Sequence, residues 1–281
     1  MTVDAPALAA LPFFLNADEG ERFCLYHAPE MGTPSRGAIL YVHPFAEELN
    51  KSRRMVALQA RAYAQAGFGV LQIDLFGCGD SSGELPQAGW DTWLSDLARA
   101  WQWLQARHAG PRYLWGLRLG ALLALDFATQ AHPDGVILWQ PALSGRAHLH
   151  QFARLQSAAR LFSGTPAVEQ SAEIAGYLMS PALSATIGQL EAATLAPRCP
   201  VQWMELSPAP QGAAAEYASS AGNHQAALQP ASELLIERWR QGGARVQAYP
   251  VHGEAFWSSS EIGVAPELLA ATTAAAPREP T

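Results

Sequence analysis

The chain has 281 residues, 49% of them hydrophobic and 15% charged, with a formal net charge of −7. That length buries a sizeable core, as one large α/β domain or a domain with an insertion, and the balance is globular rather than disordered. The negative balance argues against nucleic acid as a partner.

Asp4 is the only charge before Asp18, and the apolar run over 5–15 is broken by Pro6 and Pro12, so no signal peptide is expected. Residues 13–16 and 22–27 flank the turn signal Ala17-Asp18-Glu19-Gly20 and predict an antiparallel hairpin at a sheet edge. The unbroken apolar run over 37–42 predicts a strand buried on both faces. Ser52 stands where it can cap a helix with apolar positions Met55, Leu58, Ala62 and Ala66, which Gly67 ends. The next buried strand is 68–73, followed by a loop, Asp74-Leu75-Phe76-Gly77-Cys78-Gly79-Asp80-Ser81. Its glycines do not match a dinucleotide fingerprint and no helix opens there, so no cofactor is expected.

Trp90, Trp93, Leu94, Leu97, Trp101 and Leu104 trace one helical face, read as core packing against the sheet. Strands over 112–115 and 136–139 enclose a helix over 119–130. Strands alternating with helices predict a parallel sheet with right-handed crossovers. Residues 141–197 break this rhythm with two helical patterns, 149–162 and 173–190, separated by Ser163-Gly164-Thr165-Pro166. The sheet resumes at 201–206, a helix follows at 232–241, and 245–250 is the last strand. Beyond Pro266 the composition turns to Ala, Thr and Pro, and a mobile end is expected. No apolar run approaches the roughly 18 residues of a membrane span. Cys24, Cys78 and Cys199 are scattered, with no Cys-x-x-Cys pair, and fit a reducing cytoplasm. His148-x-His150 has no matching carboxylate or cysteine set, so no metal is expected.

The stretch 114–123 predicts a short strand, a turn crowded by two glycines, and a helix. Gly116 and Gly120 let strand end and helix start approach closely, and the residue between them is Arg118. A guanidinium keeps its proton and carries five donors and no acceptor, so it cannot attack a carbonyl. At the start of a helix the macrodipole disfavours a cation by roughly 0.3–1 kcal/mol. Something anionic should offset this, and Glu47 and Glu48 are the candidates by topology. Two readings follow: an internal ion pair that fills the site, or a site where Arg118 and the helix N-terminus bind a carboxylate or phosphate.

Three landmarks carry a resemblance. Asp74-x-x-Gly77-x-Gly79-x-Ser81, Gly116-x-Arg118-x-Gly120 and His252-Gly253 occur in the order and spacing of the α/β-hydrolases. More narrowly, the stretch 43–54 (His43-Pro44-Phe45-Ala46-Glu47-Glu48 and onward) with Trp115-Gly116-Leu117-Arg118-Leu119-Gly120 resembles the exosortase A system-associated hydrolases, encoded beside exopolysaccharide genes. The resemblance implies a mostly parallel sheet of about eight strands flanked by helices, with a core of 1–142 and 199–281 and a helical lid over 143–198, inserted after the sixth strand. It puts Arg118 at the nucleophile position of an elbow that normally reads Gly-x-Ser-x-Gly, and His252 at the catalytic histidine. It assigns His43, Phe45, Glu47, Glu48 and Leu119 to the binding region around the oxyanion site.

A triad also needs a carboxylate after the sixth or seventh strand, and only Glu205 is near such a position. Cys78, Ser144 and Ser207 are the substitute nucleophiles at the correct sheet edge. Two functions stay open: an ester or thioester hydrolase or acyl-transferase with a departed triad, and a non-catalytic descendant. The second would bind a small anionic acyl or sugar-derived ligand, or a partner protein.

Overall fold

A computed structural model describes residues 10–163, 173, 174, 177–208, 226–259 and 261–277. The hairpin forms from β1 (Leu11–Asn16) and β2 (Glu21–His27). The central strands are β3 (Gly37–Val42), β4 (Phe68–Ile73), β5 (Arg112–Leu117), β6 (Gly135–Trp139), β9 (Val201–Ser207) and β10 (Val246–His252). Their order is β1-β2-β4-β3-β5-β6-β9-β10. β1 and β2 run antiparallel to their neighbours, and β4, β3, β5, β6, β9 and β10 are parallel to one another.

Side chains alternate across the sheet because the strand period is two. Leu114, Val136, Leu138 and Trp203 face one side, covered by α2 (Trp90–Gln105), α3 (Leu119–Ala131) and α6 (Pro230–Gln241). Trp115, Ile137, Trp139 and Met204 face the other, covered by α1 (Glu47–Gln65) and α7 (Pro266–Ala274). That second face carries a run of rings: Tyr41 and Trp115 lie 4.5 Å apart, Trp115 and Trp139 4.7 Å, and Trp139 and Phe256 6.1 Å. Trp90, Trp93 and Trp101 of α2 are buried as expected; the Trp90 indole donates to Asp126 at 2.7 Å and the Trp93 indole to the Phe76 carbonyl at 3.0 Å.

Four expectations need correction. α1 starts at Glu47, with Ala46 as its N-cap, and Ser52 lies inside it, its hydroxyl bonded to the Leu49 carbonyl. A serine within a helix can return its hydroxyl to a preceding carbonyl, so its presence does not mark a start. The buried face of α1 runs through Ser52, Met55, Val56, Gln59, Ala60 and Tyr63 rather than Leu58 and Ala62. The pattern over 173–190 divides into a small hairpin, β7 (Glu173–Ile174) and β8 (Tyr177–Leu178), and a helix α5 (Pro181–Gln189) capped by Ser180. The composition beyond Pro266 conceals α7, which docks through buried Leu268 and through Thr272, whose hydroxyl takes the Trp139 indole N–H at 3.0 Å. Residues 164–166 of the expected break, and the last four residues, lie outside the described ones. Between β6 and β9 the chain also forms α4 (Gly145–Ser163). Among the described residues no helix is long and apolar enough to cross a membrane.

Candidate functional site

The turn from β5 into α3 is as tight as its glycines imply. A Cβ added at Gly116 would meet the Ala121 Cα at 2.5 Å, and one at Gly120 would strike the carbonyls of Val42 and His43. Between them Arg118 sits at φ 54°, ψ −118°, a conformation that costs a side-chain-bearing residue about 1–3 kcal/mol. The surrounding backbone holds it there. Its N–H bonds the Trp139 carbonyl at 3.1 Å, and its own carbonyl accepts from Ala121 and Ala142, both at 3.1 Å. Two neighbours share the strain: Ala46 at φ 55° after β3, and Gln140 at φ 40° after β6.

The guanidinium is 9% exposed as part of its residue and is bonded on every side. Its Nε donates to Glu48 Oε1 at 3.1 Å. Nη1 reaches the Gln140 carbonyl at 3.5 Å, and Nη2 reaches Gln151 Oε1 at 3.1 Å and His148 Nδ1 at 3.5 Å. The Trp257 ring lies under it at 5.3 Å. Glu48 occupies the first turn of α1, where the macrodipole also favours its charge. Burial nonetheless raises the Glu48 pKa, against the pull of Arg118. Burial and then the Arg118 charge hold His148 well below the ordinary histidine value, so its ring is neutral. Since Nδ1 accepts from Arg118, the ring proton is on Nε2, which faces Glu48 Oε2 across 3.7 Å.

The structure sorts the two glutamates. Glu47 is half-exposed and turns to Lys51 at 3.9 Å, one helical turn away, while Glu48 turns inward. His43 is buried with both nitrogens engaged: Nδ1 donates to the Pro44 carbonyl and Nε2 accepts the Leu75 N–H at 3.0 Å. It therefore straps the loop after β3 to the loop after β4. The Phe45 ring packs on Phe152 of α4 at 5.1 Å. Leu119 opens α3 and, with His43, Phe45, Trp90 and Leu123, bounds a void of about 10 Å³, room for no more than a water.

The other residues expected around a nucleophile are engaged as follows among the described residues. His252 ends β10 opposite Ser207, and its backbone N–H donates to Glu267 at 3.0 Å; it is not among the hydrogen-bond partners of Arg118 within the described residues. Both oxygens of buried Glu205 are taken, by the Trp203 indole at 3.0 Å and the Gln229 N–H. Burial pushes the Cys78 thiol up to about 12, which leaves no thiolate near neutrality. Ser144 donates to Glu191 at 2.7 Å and accepts the Ala147 N–H of α4, a capping role. The carbonyl of Ser207 accepts the Gly253 N–H. His150 is exposed, apart from buried His148, and the described residues contain no group of three metal-ligating side chains.

The buried histidines set the pH response. Burial lowers His43, His108 and His148, and takes His27 from 6.5 to about 4. Each binds its proton more readily unfolded than folded. The stability they support is present above pH 6.5 and is lost as pH falls toward 4, by about 1.4 kcal/mol per pH unit for each proton taken up on unfolding. Glu48 and Asp96 work in the opposite sense, since burial raises both carboxyls and favours the folded chain at low pH, but they are two groups against four. The melting temperature is expected to fall between pH 7 and pH 5; a flat profile in a thermal scan would contradict the assignment.

Residues 33–185, more than half of the chain, match the family described as serine aminopeptidase, S33. Protein ABHD12B from Homo sapiens is 33% identical over 119 residues, which cover 42% of this chain and 31% of that protein, so the match spans about a third of its length. Est1E from Butyrivibrio proteoclasticus, solved with ferulic acid bound, aligns with a TM-score of 0.62 at 13% identity, over 93% of this chain and 96% of that one. A highly thermostable carboxyl esterase from Bacillus coagulans, in complex with glycerol, aligns with a TM-score of 0.57 at 16% identity, over 87% and 90%. At such identities the structural likeness speaks for the fold. By the family match and by its strand order, this chain belongs to the serine aminopeptidase S33 family and has the α/β-hydrolase fold.

Proposed function

We propose that the chain is a non-hydrolytic member of this family that binds a small anionic acyl or sugar-derived ligand at the elbow. The observation that carries this reading is Arg118 itself, at the strained apex with its charge engaged by Glu48. A guanidinium in that position binds oxyanions and cannot attack a carbonyl. Residues 143–198 then act as a lid on a core of 1–142 and 199–281, a role supported by the reach of His148 and Gln151 from α4 to Arg118. The likeness of 43–54 and 115–120 to exosortase A system-associated hydrolases supports a place in exopolysaccharide production. Three free thiols support a reducing cytoplasm.

Purified protein is expected to turn over p-nitrophenyl acetate and butyrate no faster than buffer, and to remain unlabelled by a fluorophosphonate probe. Arg118→Ser should restore little, because buried Glu205, the one acid the strand ends offered, already holds the Trp203 indole and the Gln229 N–H. Wild-type turnover that disappears with Cys78→Ala or Ser144→Ala would overturn the proposal, identify the substitute nucleophile, and return the chain to the ester and thioester hydrolases.

A further inference from the structure

The guanidinium of Arg118 is unevenly satisfied. Its Nε side holds a carboxylate, Glu48, at 3.1 Å. Its outer edge, Nη1 and Nη2, holds only neutral acceptors, and two of the three are at 3.5 Å, beyond the ~2.7–3.2 Å of a good N–H···O bond. The third, Gln151, is an exposed residue of α4, so of the three partners it is the one that can turn away to solvent. Two parallel N–H groups with weak neutral partners are the arrangement a carboxylate binds with both oxygens. Aromatic rings pack around this edge: His148, which meets it, lies 5.0 Å from Phe152, Phe152 lies 5.1 Å from Phe45, and Trp257 lies under the guanidinium.

Behind the fork is a second feature. Glu48 Oε2 and His148 Nε2 are both buried, without a hydrogen-bond partner among the described residues, and face each other at 3.7 Å. Of the other charges at this end of α1, Arg53 pairs with Asp74 at 3.0 Å and Lys51 with Glu47 at 3.9 Å, and Arg54 is on the exposed face. The Glu48–His148 pair thus answers chiefly to Arg118. A second anion on Arg118 would set two negative charges about one cation, and a proton shared by Glu48 and His148 would neutralise one of them.

We infer that the Nη1–Nη2 edge of Arg118 is a fork for one aromatic or apolar monocarboxylate, which displaces the Gln151 amide and brings a proton onto the Glu48–His148 pair. This rests on the binding reading above and deepens it with a ligand class and a pH dependence. The burial that raises Glu48 works in the required direction. Full coupling of one proton strengthens binding tenfold for each pH unit lowered.

Benzoate is the probe, titrated calorimetrically into the full chain at pH 5.5, 6.5 and 7.5 in two buffers of different ionisation enthalpy. The expected result is one site per chain, net proton uptake, affinity rising as pH falls, and no binding of the neutral analogue benzamide. Gln151→Glu would place a tethered carboxylate on the fork and should weaken benzoate at least tenfold, while Gln151→Ala should not weaken it. Both substitutions are at an exposed position, so they report on the fork even where Arg118→Gln fails to fold. Equal binding of benzamide, or benzoate affinity unmoved by Gln151→Glu, overturns the fork. Absence of benzoate binding to the wild type overturns it as well. Binding without proton uptake overturns the coupling. Ester turnover by the same preparation overturns the non-hydrolytic reading, and the benzoate titration judges the fork separately.

Discussion

Arg118→Met is expected to destabilise the protein by roughly 3–5 kcal/mol, because it leaves Glu48 as a buried charge without its cation. Glu48 is 5% exposed, and its Oε1 has the Arg118 Nε as its partner at 3.1 Å. Adding Glu48→Gln should recover much of that loss, since an amide tolerates the same surroundings at far smaller desolvation cost. The double-mutant cycle, measured by urea unfolding, should therefore show strong coupling between positions 118 and 48. Position 47, whose carboxylate turns to Lys51, should couple by less than about 0.5 kcal/mol. A second signature follows from titration. In Arg118→Met the Glu48 pKa loses the one influence that lowered it, so the variant should regain stability as pH falls and Glu48 takes a proton. Coupling below about 0.5 kcal/mol at position 48 would rule out the ion pair as a structural element.

Gly120→Val is expected to be more severe, with a loss above about 4 kcal/mol or no folded protein at all. A Cβ there would lie closer than 3.0 Å to the carbonyl oxygens of Val42 and His43. Val42 ends the central strand β3 and His43 follows it; β3 pairs with both β4 and β5, so these carbonyls cannot withdraw without disturbing the sheet. Gly188→Val, in α5, is the matched control: its added carbon meets nothing within 4 Å. Circular dichroism and thermal melting of the two variants separate crowding at the elbow from a general effect of valine. A Gly120→Val protein that melts with the wild type would mean that α3 can move away from β3 at little cost.

The middle of the sheet was legible because β3, β5 and β6 are buried almost throughout and so appear as mainly apolar runs. β3 and β4 have the ends their sequence runs predict. Arg118 was legible for a different reason: a fixed positive charge between two glycines is conspicuous whatever surrounds it. Its partners were harder to see. Glu47 and Glu48 are adjacent and chemically equal in sequence, and only the helical phase of α1 turns one inward and the other toward Lys51. His148 gave a weak signal, since it shares a helical face with Phe152, four residues on. Its contact with Arg118 is a matter of how α4 crosses the elbow, which no local pattern encodes. Gln140, Gln151 and Trp257 gave none. α7 was missed because alanine and threonine are poor markers of a core, and what fixes that helix is a distant indole donating to Thr272.

Ala46, Arg118 and Gln140 all hold positive φ at the ends of β3, β5 and β6. At about 1–3 kcal/mol each, they together approach the 5–15 kcal/mol by which a typical domain is stable at all. An enzyme keeps such a frame because the geometry is returned as rate. Here the apex holds an arginine, yet the frame is unrelaxed, so the rest of the fold must supply the difference. The consequence is reduced mutational robustness far from the site. A substitution on the Trp115–Trp139 face that a relaxed relative would absorb brings this chain closer to its unfolding threshold. Tolerance to random mutation in the sheet is thus tied to three backbone torsions at its edge.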